Sequence, residues 1–146
     1  MRKSIIAILM TFCLSIMTYA QTPRDRATEL KEQAQSSLNQ KDYIKARYLF
    51  KKAYEAFATR ENYPQAIECG VQANALYVRE NFYKEGFELC RDMDQLIWAG
   101  EQNQKKVFYD LRFLVNKERL QMYTALKNPA QAKTQLNKLE ETANLA

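Results

Sequence analysis

The residues of this chain that could do chemistry are limited by the absence of histidine from its 146 residues. Without histidine the chain has no imidazole acid or base, no Ser-His or Cys-His nucleophile pair, and few ways to bind zinc or haem. Only three glycines occur, which argues against a glycine-rich phosphate loop. Paired carboxylates such as Asp92 with Asp94 are typical of a solvated helix surface. We therefore expect no enzymatic activity, no metal site and no cofactor.

The charges of the chain are spread along it rather than gathered into one patch. The formal net charge is +5, and the segments KEQ, KKAYEA and NKERLQ mix both signs. A nucleic-acid-binding protein would concentrate its lysines and arginines into a basic stripe. The mixed pattern instead indicates solvent-facing helix surfaces, so we expect no nucleic-acid partner.

The first 20 residues form a candidate signal peptide. Arg2 and Lys3 precede an apolar stretch from Ile5 to Met17, and Thr18-Tyr19-Ala20 resembles a signal peptidase site. The stretch is shorter than the ~20 apolar residues that a membrane span needs, although a retained anchor is the alternative. We expect a mature chain of residues 21–146 that begins at Gln21, has no membrane span, and lies in the periplasm or outside the cell.

Helix-type spacing of apolar residues runs almost continuously along the mature chain and predicts an all-α fold. All three prolines fall at predicted helix starts, where they cost least. We expect Asp42, Asn81 and Asn128 to be N-caps, and Gly100 to follow the end of the fourth helix. The fifth helix should be the longest of six, whose predicted bounds are about 23–39, 43–59, 64–80, 82–99, 103–127 and 129–143.

Three short turns share one chemistry and divide the predicted helices into pairs: Lys41-Asp42-Tyr43, Glu80-Asn81-Phe82 and Lys127-Asn128-Pro129. Small or apolar residues follow the first cap at +4, +8 and +11, namely Ala46, Phe50 and Ala53. The same offsets follow the third cap and, one place later, the second: Ala132, Leu136 and Leu139, and Gly86, Cys90 and Met93. This recurrence predicts an internal repeat of helix pairs.

The pattern resembles the tetratricopeptide (TPR) repeat, in which a small, a Phe-like and another small residue follow the turn of each helix pair. The first pair matches best, through Leu30, Ala34, Tyr43, Ala46, Phe50 and Ala53. The resemblance covers about residues 25–143 and implies antiparallel helix hairpins, three pairs stacked as a solenoid. The alternative is a six-helix bundle that buries the same residues around one centre.

The resemblance also implies a ligand surface, the concave face lined by the first helix of each pair. By turn register this face would carry six polar residues: Lys31, Gln35, Asn39, Arg79, Lys117 and Gln121. Some TPR proteins hold a peptide's terminal carboxylate with a lysine and an amide one turn apart, as in Lys31-x3-Gln35 and Lys117-x3-Gln121. The alternative is ordinary surface charge.

A disulfide between Cys69 and Cys90 is a further expectation from the TPR-like hairpin, which would bring the third and fourth helices together. Export would place both thiols in an oxidising compartment. In the chain-entropy model, closing this loop of ~20 residues stabilises the fold by about 3 kcal/mol. The alternative is a pair of small buried apolar side chains.

Export, a helical-repeat fold and the absence of catalytic motifs together favour one function. We expect an exported interaction module that binds a peptide or protein segment in a TPR-like groove. The alternative is the extracytoplasmic sensory region of a signal-transduction receptor, such as a sensor histidine kinase, of which the chain would then be a part.

Overall fold

The computed structural model describes residues 25–145 and is all-helical over that range, with six helices and no strand. The helices are α1 (Arg26–Asn39), α2 (Tyr43–Ala58), α3 (Tyr63–Arg79), α4 (Tyr83–Gln104), α5 (Tyr109–Ala125) and α6 (Pro129–Leu145). The predicted all-α class and number of helices are confirmed. The candidate signal peptide of residues 1–20 and the predicted mature N-terminus Gln21 lie outside the described residues. None of the helices between residues 25 and 145 has the length and apolar character needed to cross a membrane.

Four of the five turns have the same backbone geometry. Each places one residue in the left-handed region, at φ values between 52° and 63°: Lys41, Glu61, Asn81 and Lys127. The N–H of the next residue then donates to a carbonyl five residues back, as when Asp42 donates to Ser37 at 2.9 Å. This is the Schellman arrangement, which satisfies carbonyls left free at a helix end. A short turn of this kind sends the chain directly into the next helix.

Side-chain caps begin four of the six helices. Asp25, Asp42, Asn62 and Asn128 each accept a hydrogen bond from a backbone N–H in the first turn that follows. The predicted caps Asp42 and Asn128 are therefore confirmed, whereas Asn62 was not predicted as a cap. The helices α4 and α5 instead begin after Phe82 and Phe108, whose side chains cannot cap.

The predicted cap at Asn81 is wrong, because Asn81 takes the left-handed turn position at φ 63° and Phe82 is the N-cap. This correction removes the one-place slip in the sequence pattern. Counted from Phe82, the residues Gly86, Cys90 and Met93 fall at +4, +8 and +11. The helices α2, α4 and α6 therefore have small or apolar residues at the same offsets from their N-caps.

The prediction that Gly100 follows the end of the fourth helix is also wrong. Gly100 is buried inside α4, which continues to Gln104 and, at 22 residues, is longer than the 17-residue α5. A Cβ atom built on Gly100 would lie 2.8 Å from the ring of Phe108 and 3.0 Å from the ring of Tyr63. Glycine is therefore required here by the close approach of two aromatic rings, not by a turn.

The helices pack mainly in chain order. Each helix has extensive contacts with the next, and α3 also packs against α5. The first and last described helices, α1 and α6, have no such contact with each other. One apolar core runs along this series, and its largest fully buried side chains include Phe50, Ile67, Met93, Ile97, Val115 and Met122. An apolar interior shared between successive helices is the main stabilising contribution to this fold.

Candidate functional site

The six predicted binding residues all reach the surface. Five of them are exposed, and Lys31 is half-buried. They lie on three helices: Lys31, Gln35 and Asn39 on α1, Arg79 on α3, and Lys117 and Gln121 on α5. Counted back from the left-handed turn residue of each helix, they occupy equivalent positions. We call the sides of α1, α3 and α5 that carry these six residues the open face.

The α1 part of the open face is occupied by contacts within the protein. The ammonium of Lys31 donates to Gln65 Oε1 and to Glu68 Oε2, both at 2.8 Å and both on α3. The amide of Gln35 donates to Asn39 Oδ1 at 3.2 Å. Because its charge is already paired, Lys31 is a weaker anion-binding group than the sequence suggested.

Arg79 points to a different neighbour from the other predicted residues. Its guanidinium carbon lies 4.0 Å from the ring centroid of Tyr43 at the start of α2, a cation–π contact. Lys117 and Gln121 remain exposed, one turn apart on α5. Of the two lysine and glutamine pairs predicted to bind a carboxylate, the pair on α5 is the one that the structure leaves accessible.

Cys69 and Cys90 are buried free thiols in the structure, not a disulfide. Two small buried apolar side chains were the alternative to the predicted disulfide. Burial raises the pKa of Cys69 to about 11 and that of Cys90 to about 12. The charged groups that act on Cys69 are Lys31 and Glu68, whereas those on Cys90 include Arg119 of α5. The thiols thus sit in different surroundings, and their high pKa values make both poor nucleophiles.

An aromatic cleft of about 670 Å³ lies where α3 begins and the α4–α5 loop ends. Its walls include Tyr63 and Phe108, whose ring centroids are 5.7 Å apart, and Val107, which is 44 % exposed. Lys106 and Asp110 add one charge of each sign. An apolar cleft with a few polar groups is the usual form of a site that accepts an apolar side chain.

The cleft was not predicted, because Phe108 was assigned to the interior of the fifth helix. In the structure α5 begins at Tyr109, so Phe108 lies just before the helix. The helix α4 ends at the left-handed residue Lys105, which has φ 51°. The carboxylate of Glu101 fixes the loop by accepting from the Phe108 N–H at 2.9 Å and from Arg112 Nε at 2.7 Å. These hydrogen bonds from Arg112 hold the pKa of Glu101 below its ordinary value. The sequence carries no local signal for this loop, since its charged anchor comes from the preceding helix.

A polar pair is buried where α3 packs against α5. Asn74 is 0 % and Glu118 is 4 % exposed, and the Nδ2 of Asn74 donates to Glu118 Oε2 at 2.9 Å. The Oδ1 of Asn74 has no donor within the protein. Burial raises the pKa of Glu118 above its ordinary value, while the hydrogen bond from Asn74 and the charge of Lys117 oppose that rise.

Between residues 25 and 145, no three His, Cys, Asp or Glu side chains are grouped closely enough to hold a metal ion. Comparison of the chain with family models, curated proteins and solved structures finds no match in any of the three.

Proposed function

We propose that this protein is an exported, non-enzymatic interaction module that binds a peptide or protein segment along the open face of a TPR-like helical stack. The observation that carries the proposal is the packing order, in which helices contact their chain neighbours and α3 contacts α5. A stack of helix pairs packs in this way because each pair touches only the pairs beside it. Such a stack keeps one side of every alternate helix free for a ligand.

The open face and the aromatic cleft support this function together. Asp110 lines the cleft and lies seven residues before Lys117, which places both on one side of α5. Gln121 follows on the same side one turn later. A peptide whose apolar side chain enters the cleft can therefore run along α5 and present a carboxylate to Lys117 and Gln121.

A peptide array tests the proposal directly. Peptides with an apolar residue near a free C-terminal carboxylate should bind, and the same peptides with amidated termini should bind less. Lys117→Glu should weaken binding about tenfold or more, because it replaces a charge-assisted contact by repulsion. Lys133→Glu on α6, another exposed lysine, is the matched control and should leave binding unchanged.

Equal binding by both charge-reversal variants, or by free and amidated peptides alike, would contradict a carboxylate site on α5. If no peptide in the array binds, groove binding itself is wrong.

Export is the second part of the proposal, and it depends on residues 1–20. Three features of the sequence support export: the basic residues at the start, the short apolar stretch, and the cleavage motif Thr18-Tyr19-Ala20. The intact mass of the protein recovered from the periplasm or medium should correspond to a chain that begins at Gln21. Recovery of the chain from Met1 onward in the membrane fraction would contradict cleavage and favour a retained anchor.

A further inference from the structure

A second cleft, of about 420 Å³, opens between α4, α5 and α6. It is lined mainly by polar side chains and one indole, among them Trp98, Arg112, Asn116, Arg119, Lys138 and Glu141. Trp98 is 62 % exposed at its edge.

The floor of this cleft differs from the matching part of α3. The helices α3 and α5 both have 17 residues and follow the N-caps Asn62 and Phe108. At +4, +8 and +11 from those caps, α3 has Ala66, Gly70 and Ala73, whereas α5 has Arg112, Asn116 and Arg119. Three small residues are thus replaced by two arginines and an amide.

The wall contributed by the preceding helix differs in the same way. Beside α3, Tyr54 of α2 and Met93 of α4 close over Gly70, where an added Cβ would lie 3.2 Å from the Tyr54 ring. At +12 from its cap, the position of Tyr54 in α2, the helix α4 has Asp94, and Trp98 follows one turn later. A junction that is dry and filled beside α3 is therefore polar and open beside α5.

The donors in the cleft are partly used within the protein. The carboxylate of Glu101 accepts hydrogen bonds from Nε and Nη2 of Arg112. Arg119 donates to the Cys90 carbonyl at 3.1 Å. Arg112 Nη1 and the ammonium of Lys138 remain for a ligand. The Asn116 amide adds a third donor, because its Oδ1 is the atom that faces Arg119 at 3.5 Å.

The charges that line the cleft define the ligand further. Three cations meet three carboxylates, because Glu101 pairs with Arg112, Asp94 pairs with Arg119, and Lys138 and Glu141 line the same cleft. The cleft therefore has no net charge, and its free donors are the groups that can receive an anion. A single carboxylate is easier to accept here than a phosphate dianion, which the three carboxylates would repel more strongly. The exposed indole suits a flat apolar group.

We infer that this cleft binds a ligand with one carboxylate attached to a flat apolar group. The ring packs against Trp98, and the carboxylate accepts hydrogen bonds from Lys138, Arg112 and Asn116. A small aromatic acid and a polypeptide C-terminus ending in an aromatic residue share this chemistry. The site is separate from the proposed carboxylate contacts at Lys117 and Gln121, so either one can fail without the other.

Fluorescence titration tests the inference, because Trp98 is the only tryptophan of the chain. Phenylacetate should change the emission in a saturable way, and phenylacetamide, which has the same ring but no charge, should bind far more weakly. The peptide Ala-Ala-Phe with a free carboxylate distinguishes the two sources: tighter binding than phenylacetate indicates a polypeptide C-terminus, and weaker binding indicates a small acid.

The matched variants are Lys138→Ala and Lys133→Ala, both exposed lysines of α6. Lys138→Ala should weaken phenylacetate binding about tenfold, since it removes one charge-assisted hydrogen bond, and Lys133→Ala should not. The inference is overturned by no response to millimolar phenylacetate, by equal responses to acid and amide, or by unchanged affinity of Lys138→Ala.

Discussion

Asn74 and Glu118 carry an unbalanced polar cost in the described core. The Oδ1 of Asn74 is buried without a donor, and the carboxylate of Glu118 faces the same amide. A buried acceptor without a partner costs about 1–3 kcal/mol. A protonated carboxyl, or an amide in its place, can donate to that oxygen, which a carboxylate cannot do.

Glu118→Gln is therefore expected to raise the free energy of unfolding by about 1 kcal/mol near neutral pH. Because the pKa of Glu118 is raised in the folded state, the folded protein binds this proton more tightly than the unfolded chain. The stability of the wild type should rise relative to the variant as the pH falls through the folded pKa towards the ordinary value of 4.5. Urea unfolding of both proteins at several pH values measures this difference.

The matched control for this pH effect is Glu88→Gln, since Glu88 is an exposed glutamate of α4. It should leave the stability difference near zero at every pH. An advantage of Glu118→Gln that stays constant with pH would show that Glu118 does not titrate as the burial requires.

Phe50→Ala is expected to lower the free energy of unfolding by about 3–5 kcal/mol, because Phe50 is 1 % exposed and its loss opens a cavity. Tyr48→Ala, two residues away on the same helix but 61 % exposed, should change stability by about 0.5 kcal/mol or less. Thermal and urea unfolding measure both. Equal losses for the two variants would contradict the assigned orientation of α2.

At the residue scale, the sequence predicted apolar burial better than polar contacts. The spacing identified Ala46, Phe50 and Ala53, all of which are buried. Leu136 holds the position of Phe50 in the last pair yet is 46 % exposed, because no described helix follows α6 to cover it. The contact between Asn74 and Glu118 could not be predicted, since it joins residues 44 positions apart through the packing of two helices.

At the scale of the elements, the turns contain strain that a substitution can release. Lys41 has φ 62°, a conformation that costs a side-chain-bearing residue about 1–2 kcal/mol and glycine little. Lys41→Gly should therefore raise stability by about 1 kcal/mol, whereas Lys51→Gly, exposed within α2, should lower it by about 1 kcal/mol. Circular-dichroism melting curves compare the two, and a loss of stability in both would contradict the left-handed turn.

The starts of two helices were predicted correctly because their capping residues were recognised in the sequence. Asp42 and Asn128 are capping residues and begin α2 and α6 as expected. Phe82 and Phe108 give no capping signal, so the starts of α4 and α5 were misplaced by one to several residues. Gly100 suggested a helix end because glycine has that role most often, but here it is required by ring packing.

At the scale of the whole molecule, a stack of helices predicts that damage stays local. Leu139→Ala removes a buried side chain of α6, whose extensive contacts are with α5. Amide hydrogen exchange should then quicken in α6 and the adjoining part of α5 while α1 and α2 keep their protection. Equal acceleration in all six helices would favour a closed bundle with one cooperative core.

The sequence predicted the helical class and the six helices, but the distinction between stack and bundle depends on contacts between distant helices. The α3–α5 contact in particular is made by residues such as Asn74 and Glu118, which no local pattern singles out. The same limit applies to the site, since the ion pair of Lys31 with Glu68 joins α1 to α3.

The central claim is that a peptide binds along the open face of α1, α3 and α5, and NMR chemical-shift mapping tests it most directly. The ¹⁵N-labelled protein is titrated with the tightest-binding peptide from the array. We predict that the largest shifts fall on α5 around Lys117 and Gln121 and on the aromatic cleft at Val107 and Phe108. Shifts confined to the exposed sides of α2 and α6, with these residues unmoved, would contradict the claim.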